Sequence, residues 1–199
     1  MKKILIASGN RHKIKEIRFL LKDIQTLRVL STADFGITAN TIEDGDTLEL
    51  NSYKKAREVY EILKIPALAD DTGLFVNVLN GAPGVLSARY SGENATYESN
   101  CIKILNELKS FEGNERKARF ETVLCLYKNE KEHFFFKGIC NGIIINNMKG
   151  KNGFGYDPVF IPDGYKNTFA EIPEDEKNKI SHRANALYKF KDYIKCNFE

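Results

Sequence analysis

The sequence has few of the features that mark secreted, membrane or metal-cluster proteins. Its four cysteines, Cys101, Cys125, Cys140 and Cys196, form no C-x-x-C pair and no zinc-ligand spacing. They lie in apolar segments, which indicates core thiols and a reducing compartment. The start, MKKILIAS, has only a four-residue apolar run, too short for a signal peptide, and no segment could span a membrane. We therefore expect a cytoplasmic protein with no membrane partner.

An excess of charge of one sign is also missing. Charged residues make up 29% of the chain, yet the net charge is only +3. A nucleic-acid-binding protein usually carries a basic stripe. Here the lysines are interspersed with glutamates through helical segments, which is typical of a solvated face. We expect no nucleic-acid partner.

No repeat, low-complexity tract or Pro/Gly/Ser-rich linker divides the chain, so residues 1–199 are predicted to form a single domain. Helices interleave with strands in the first half, and a long antiparallel hairpin dominates the second half. The predicted strands are 3–7, 27–31, 67–70, 74–79, 116–127, 133–145 and 159–161. The predicted helices are 11–22, 47–64, 96–110 and 182–195. We predict an α/β fold with an elongated mixed β-sheet flanked by helices, in one domain or two closely joined lobes.

The stretch ALADDTGLFV (67–76) places two adjacent carboxylates, Asp70 and Asp71, at a predicted strand end, before a turn at 70–73. Each raises the cost of ionising the other unless a cation lies nearby. A second acidic group, at 43–46, precedes a helix that Thr47 can cap. Carboxylates from two loops suit Mg²⁺, which usually takes one or two carboxylates plus substrate phosphate. Alternatively, these acids cap a turn and favour a helix N-terminus.

The segment ASGNRHK (7–13) has the outline of an anion site. Gly9 lets the backbone approach a bound group, and Asn10 can cap a helix whose first N–H groups are unpaired. Lys13 opposes the helix dipole, and a bound phosphate would relieve that cost. Since no Walker pattern is present, the alternative is a plain strand–turn–helix with a surface lysine.

Two later segments offer aromatic rings and hydrogen-bond donors. In GFGYDP (153–158), Phe154 and Tyr156 present ring faces on which a base can stack. In EKNKISHRANAL (176–187), Lys177, His182 and Arg183 provide several donors. The alternatives are core aromatics and surface cations. Together, the four segments describe a nucleoside triphosphate site.

The sequence also resembles the inosine/xanthosine triphosphate pyrophosphatase family. The matching segments, in the family's order and spacing, are SGNRHKIKE, EDGDTLELNSYKKA, ADDTGLFVNVLNGAPGVLSARYSG, GFGYDPVF and TFAEIPEDEKNKISHRANAL. The resemblance implies two lobes with the active-site cleft between them. It implies Mg²⁺-dependent hydrolysis of non-standard purine triphosphates (ITP, dITP, XTP) to the monophosphate and pyrophosphate. It also implies a small-molecule nucleotide substrate and a homodimer.

The resemblance assigns roles to individual residues. Those for the phosphates are Ser8, Gly9, Asn10, Lys13 and Lys55. Those for Mg²⁺ are Glu43 and Asp71. The catalytic residues are Asp71, which accepts a proton from the attacking water, Asp70, which assists it, and Lys13, which stabilises the leaving pyrophosphate. The residues for base and sugar are Phe154, Gly155, Tyr156 and Asp157, and those for the purine edge are Lys177, His182 and Arg183. Thr72 stands where the family usually has Ser, and its hydroxyl keeps a contact to the substrate possible.

Three positions complete the comparison. Arg89 matches the family, but no role is assigned to it. Leu50 stands where the family has Glu before the helix asparagine, which puts a further metal ligand from that helix in doubt. Leu86 replaces a common Tyr.

Three other functions stay open. A sibling pyrophosphatase acting on other modified or pyrimidine triphosphates is disfavoured by the SHR and GFGYDP segments. A nucleotide-binding regulator without catalysis is disfavoured because Glu43, Asp70 and Asp71 are all present. Nucleic-acid binding is disfavoured by the near balance of charge.

Overall fold

The computed structural model describes residues 2–37 and 41–198, which form an α/β fold on a mixed β-sheet. The predicted fold class is confirmed. The strands are β1 (Lys2–Ile6), β2 (Leu27–Ser31), β3 (Ala67–Val76), β4 (Pro83–Gly84), β5 (Lys117–Asn129), β6 (Glu132–Ile144) and β7 (Phe160–Pro162). The helices are α1 (Arg11–Leu21), α2 (Leu48–Leu63), α3 (Tyr97–Glu107), α4 (Glu174–Ile180) and α5 (His182–Phe198).

The strand order in the sheet is β2-β1-β3-β5-β6-β7, and β4 pairs with β3. β1 is parallel to β2, with Ile4 opposite Val29, and parallel to β3, with Leu5 opposite Ala67. β4 is antiparallel to β3, and β7 is antiparallel to β6. β5 and β6 are neighbours joined by two residues, which only an antiparallel hairpin allows. The predicted hairpin is therefore confirmed.

The chain divides into two compact units. The first comprises Met1–Asp71, Thr122–Gly138 and Arg183–Glu199, and the second comprises Thr72–Glu121 and Ile139–His182. The prediction of a single domain covers residues 1–199, of which 1, 38–40 and 199 lie outside the described residues. The single domain therefore stays a prediction.

The first unit has a hydrophobic cluster on each face of its strands, because successive strand residues point to opposite faces. On one face, Ile4, Ile6 and Leu68 pack with side chains of α1 and α5. On the other face, Leu5, Ala67 and Ala69 pack with side chains of α2. Burying one Leu or Ile side chain stabilises a fold by about 1.5–3 kcal/mol. The alternation in β3 therefore decides which helices each of its residues faces.

The second unit has one hydrophobic cluster, rich in aromatic rings. Phe120 of β5 contacts Phe160 edge to face, with ring centroids 4.7 Å apart, and Phe169 packs against both. Ile104 and Leu108 close this cluster from the side of α3. The cluster supports the glycine-rich segment 153–157, whose Tyr156 is part of it.

Two threonines cap the N-termini of α2 and α3, which explains where these helices begin. The Thr47 hydroxyl accepts a hydrogen bond from the N–H of Leu50, at 3.1 Å, and this confirms the predicted cap. Thr96 accepts from the N–H of Ser99 at 3.0 Å. α3 begins one residue later than predicted and ends three residues earlier.

The turn predicted at 70–73 is wrong, because β3 runs unbroken from Ala67 to Val76. Gly73 suggested a turn, but it lies inside the strand, where it allows β4 to come close. A Cβ atom on Gly73 would lie 2.6 Å from the carbonyl oxygen of Gly84. A glycine within a strand often marks such an approach between backbones.

Over the stretches of chain that the structure describes, none of the helices combines the length and the apolar character needed to cross a bilayer.

Candidate functional site

The turn before α1 is held by its own side chains. Asn10 is the N-cap of α1, and its Oδ1 accepts from the N–H groups of His12 (3.0 Å) and Lys13 (3.3 Å). Ser8 Oγ accepts from the N–H of Asn10 at 3.2 Å. The predicted cap is confirmed. The Asn10 side chain therefore already engages two of the N–H groups at the start of α1, and Lys13 adds a cationic side chain to this turn.

Asp70 lies on the face of β3 that packs with α1 and α5, and two cations contact it there. Lys13 Nζ is 3.1 Å from Asp70 Oδ2, and Arg183 donates to the same oxygen from Nε (3.2 Å) and Nη2 (3.0 Å). Burial would raise the pKa of Asp70, but the charges of Lys13 and Arg183 outweigh it and hold that pKa well below its usual value. Burial lowers the pKa of Lys13, although Asp70 opposes the change.

Arg183 joins Asp70 to a second carboxylate. Its side chain is only 1% exposed, and its Nη1 donates to Glu16 Oε2. The family resemblance predicts Arg183 at the purine edge, whereas its hydrogen bonds tie its guanidinium to Glu16 of α1 and Asp70 of β3. Glu16 was not singled out from the sequence. The sequence did contain a signal for it. Glu16 lies among Ile14, Ile17 and Leu21 on the apolar face of the helix, and a glutamate buried there needs a cationic partner.

Asp71 lies on the opposite face of β3 and pairs with α2. Lys55 Nζ donates to Asp71 Oδ1 at 2.7 Å and to Glu43 Oε1 at 3.0 Å. Burial raises the pKa of Asp71, against the opposing charge of Lys55. Burial would lower the pKa of Lys55, but the charges of Asp71 and Glu43 outweigh it and raise that pKa. Both carboxylates therefore converge on one cationic centre.

Asn51, in α2, fixes the acidic loop and Asp71 together. It exchanges two hydrogen bonds with the backbone of Gly45, at 2.8 and 3.3 Å, and its Nδ2 also donates to Asp71 Oδ2 at 3.3 Å. A Cβ atom on Gly45 would lie 2.8 Å from Asn51 Oδ1, so glycine permits this contact. No role was predicted for Asn51 from the sequence, where it was noted only as the residue that follows Leu50. Leu50 itself is exposed. A fully buried asparagine has to pair its polar atoms, and that requirement indicates its positioning role.

The two sets of charges on β3 also affect each other. The charge of Lys55 lowers the pKa values of both Lys13 and Asp70, and the charge of Asp71 raises that of Lys13. The first unit thus contains all the residues predicted for the phosphates and the metal, together with the predicted catalytic residue Asp70: Ser8, Gly9, Asn10, Lys13, Glu43, Lys55, Asp70 and Asp71.

The second unit holds the residues predicted for the base and sugar. Asp157 accepts from the N–H of Phe154 at 2.9 Å and from Lys177 Nζ at 2.6 Å. Lys177 Nζ lies 4.8 Å from the centre of the Phe154 ring. Gly153 adopts a φ of +74°, and a Cβ there would collide with Asp157 Oδ2. The buried Asp157 therefore shapes this loop and orients Lys177.

The remaining predicted residues differ in how much surface they present. Tyr156 is buried and its hydroxyl donates to the carbonyl of Ser87 at 2.9 Å, so its ring belongs to the core. His182 is also buried, with its ring stacked on Phe120 at 4.6 Å. Phe154, Gly155 and Thr72 are half-buried, and Arg89 is exposed at the end of a short 3₁₀ turn. In this set, Phe154 is the aromatic ring that a ligand can reach.

A divalent ion would need ligands beyond these side chains. Within residues 2–37 and 41–198, no group of three or more His, Cys, Asp or Glu side chains is arranged to hold a metal. Glu43 and Asp71 nevertheless share Lys55 Nζ, so both can reach one ion. Two carboxylates supplemented by phosphate and water oxygens are a normal Mg²⁺ environment. The donor set fits that ion.

Comparisons with known proteins identify the family of this chain. The sequence model of the Ham1 family matches residues 4–193. A dITP/XTP pyrophosphatase of Clostridium perfringens is 46% identical over 98% of both chains, and one of Thermoanaerobacter sp. is 49% identical over 96% of both.

Solved structures are also similar. A HAM1 protein from Coxiella burnetii matches with a TM-score of 0.89 and 38% identity, covering 98% of this chain and 99% of that one. The Ham1 protein of Staphylococcus aureus matches with a TM-score of 0.85 and 36% identity, covering 98% of each chain. Agreement in sequence and in backbone over nearly the whole length shows that this chain belongs to the Ham1 family.

Proposed function

We propose that this chain hydrolyses non-standard purine nucleoside triphosphates, namely ITP, dITP and XTP, to the monophosphate and pyrophosphate, with Mg²⁺ as cofactor. The observation that carries the proposal is the pairing on β3. Asp71 and Glu43 both form ion pairs with Lys55, while Asp70, the residue before Asp71 in β3, forms an ion pair with Lys13. Relatives named dITP/XTP pyrophosphatase support the substrate class.

Glu43 and Asp71 would hold the ion, which when bound neutralises phosphate oxygens and activates water. Asp71 accepts the proton of the water that attacks the α phosphorus, because its buried carboxyl has a raised pKa and stays close to Lys55. Lys13 and Lys55 contact the triphosphate, and Lys13 stabilises the charge that develops on the leaving pyrophosphate. Asp70 orients Lys13.

Base recognition belongs to the second unit in this proposal. Phe154 stacks on the purine, and Lys177 donates to the carbonyl oxygen at C6, supported by His182. Adenine has an amino group at C6, which is itself a donor, so it would face the buried Lys177 ammonium without accepting its hydrogen bond. A site built on hydrogen bonds can reject such an analogue by about 10⁴-fold.

The enzyme would act as a homodimer, as the resemblance implies, and in the cytoplasm, where its four free cysteines stay reduced. Sedimentation at micromolar concentration tests the dimer directly. A monomer in that measurement would overturn this part of the proposal and leave the activity unaffected.

Pyrophosphate release from ITP, XTP, dITP, GTP, ATP and a pyrimidine triphosphate tests the activity, with Mg²⁺ and with a chelator. We expect rapid release from the first three and loss of release with the chelator. Equal release from all purines would contradict the proposed specificity. Nucleotide binding without release would instead indicate a regulator.

A further inference from the structure

Two residues on one face of α3 contact the glycine-rich loop 153–157. Cys101 Sγ donates to the carbonyl of Gly155 at 3.4 Å. One helical turn earlier, the ring of Tyr97 lies beside that of Phe154, with centroids 6.0 Å apart and planes at 47°. Residues four apart share a helix face, so both contacts follow from one orientation of α3.

The Tyr97 ring is accessible although its backbone is fixed. It is the first residue of α3, directly after the Thr96 cap, and it is 47% exposed. A single exposed aromatic residue needs no explanation by itself. This one extends the surface of Phe154, and Lys177 lies over the Phe154 ring. The result is two adjoining rings with an ammonium group beside them.

No function was predicted for Tyr97 from the sequence. It lies between the segments that resemble the pyrophosphatase family, one of which ends at Gly92 and the next of which begins at Gly153. Its position therefore comes from the structure, since only the fold brings α3 to the loop.

We propose that Tyr97 and Phe154 together form an aromatic platform on which the purine base of the nucleotide stacks. The platform rests on the proposed function for its ligand, and it adds Tyr97 as a binding residue. Every base has a π-face, so ring stacking adds affinity with little regard to which base is present. The platform therefore sets how tightly purines bind, and Lys177 sets which purine is preferred.

Steady-state kinetics with ITP give the first test. Tyr97→Ala should raise KM about tenfold, with kcat within twofold, because loss of an aromatic side chain that stacks on a base typically weakens binding about 5- to 150-fold. Tyr97→Phe should behave like the wild type, because the ring is retained. Ile102→Ala, at another exposed position of α3, is the matched control and should change neither constant. An unchanged KM for Tyr97→Ala would overturn the platform.

A binding measurement gives the second test, independent of turnover. The chain contains no tryptophan, so Tyr97→Trp introduces a single indole reporter. Inosine monophosphate should change its fluorescence, pyrophosphate should not, and Tyr188→Trp on α5 should respond to neither. A Tyr97→Trp signal that ignores inosine monophosphate would also overturn the platform.

The two proposals can fail separately. If the wild type does not hydrolyse ITP but Tyr97→Trp responds to inosine monophosphate, the activity is wrong and the platform stands. If ITP is hydrolysed and Tyr97→Ala keeps the wild-type KM, the activity stands and the platform is wrong.

Discussion

At the scale of single residues, Asp70 and Asp71 are the most informative pair. They are neighbours in sequence, yet they face opposite sides of β3 and have different partners. Their charges are therefore compensated separately, by Lys13 and Arg183 on one side and by Lys55 on the other. In the proposed mechanism, this separation lets Asp70 orient Lys13 while Asp71 accepts the proton of the attacking water.

Replacing Asp71 with Asn tests that division of work. The amide keeps the shape and can still contact Asn51, but it cannot take a proton. We expect pyrophosphate release from ITP to fall roughly 10³-fold, with little change in thermal unfolding. Asp192→Asn, an exposed site on α5, serves as the control. Near-normal turnover by the Asp71 variant would exclude it as the proton acceptor.

Arg183→Lys separates two roles for that residue. A lysine keeps the charge but cannot span Glu16 and Asp70 with a planar fork. We expect a loss of about 2–4 kcal/mol in the free energy of unfolding, measured with urea. We also expect equal falls in kcat/KM for ITP and ATP, because Asp70 and Lys13 are displaced for every substrate. A selective loss for ITP would instead support the purine-edge role assigned from the sequence.

At the scale of elements, β3 shows where sequence reasoning succeeds and fails. Its apolar residues predicted a buried strand correctly, but Gly73 suggested a break that does not exist. Turn propensity is local information, whereas the approach of β4 is set by residues ten positions away. Helix starts were easier to predict, because the Thr47 and Asn10 caps bond within three residues of themselves.

The close approach at Gly73 makes Gly73→Ala a test of the strand assignment. The added methyl would collide with the backbone of Gly84, which cannot rotate away as a side chain can. We expect a loss of about 3 kcal/mol in the free energy of unfolding. Gly113→Ala, where a Cβ meets open space, should cost only about 1–2 kcal/mol for its positive φ. Equal losses would mean that the contact with β4 contributes nothing.

At the scale of the whole molecule, three buried thiols contribute to the loss of stability at alkaline pH. Burial raises the pKa of Cys101, Cys125 and Cys140 from 9.0 to about 12. Between these values the unfolded chain has lost the thiol protons and the folded chain has kept them. The unfolded state then binds fewer protons, so stability falls as pH rises.

Urea unfolding at pH 8 and pH 10 measures this effect. Each thiol should remove up to about 1.4 kcal/mol over that interval. Cys125→Ala should reduce the decline by up to about 1.4 kcal/mol, and Cys196→Ala, at an exposed position, should leave it unchanged. An identical decline in both variants would assign the alkaline sensitivity to other groups.

The candidate site as a whole was predictable in composition but not in pairing. The motifs and the resemblance named Lys13, Glu43, Lys55, Asp70 and Asp71 together, and the structure pairs Lys13 with Asp70 and Lys55 with both Glu43 and Asp71. The partners of Arg183 and the position of Tyr97 were not predictable. They depend on helix packing between residues more than fifty positions apart in sequence.

The alternation along β3 has a consequence for how this gene can change. Deleting one residue between Ala67 and Asp70 would shift the phase of the strand and turn each carboxylate toward the other's partners. Substitutions nearby can be absorbed by repacking, but such a deletion would exchange the two chemical environments at once. We therefore expect natural variants of this segment to differ in side chain and not in length.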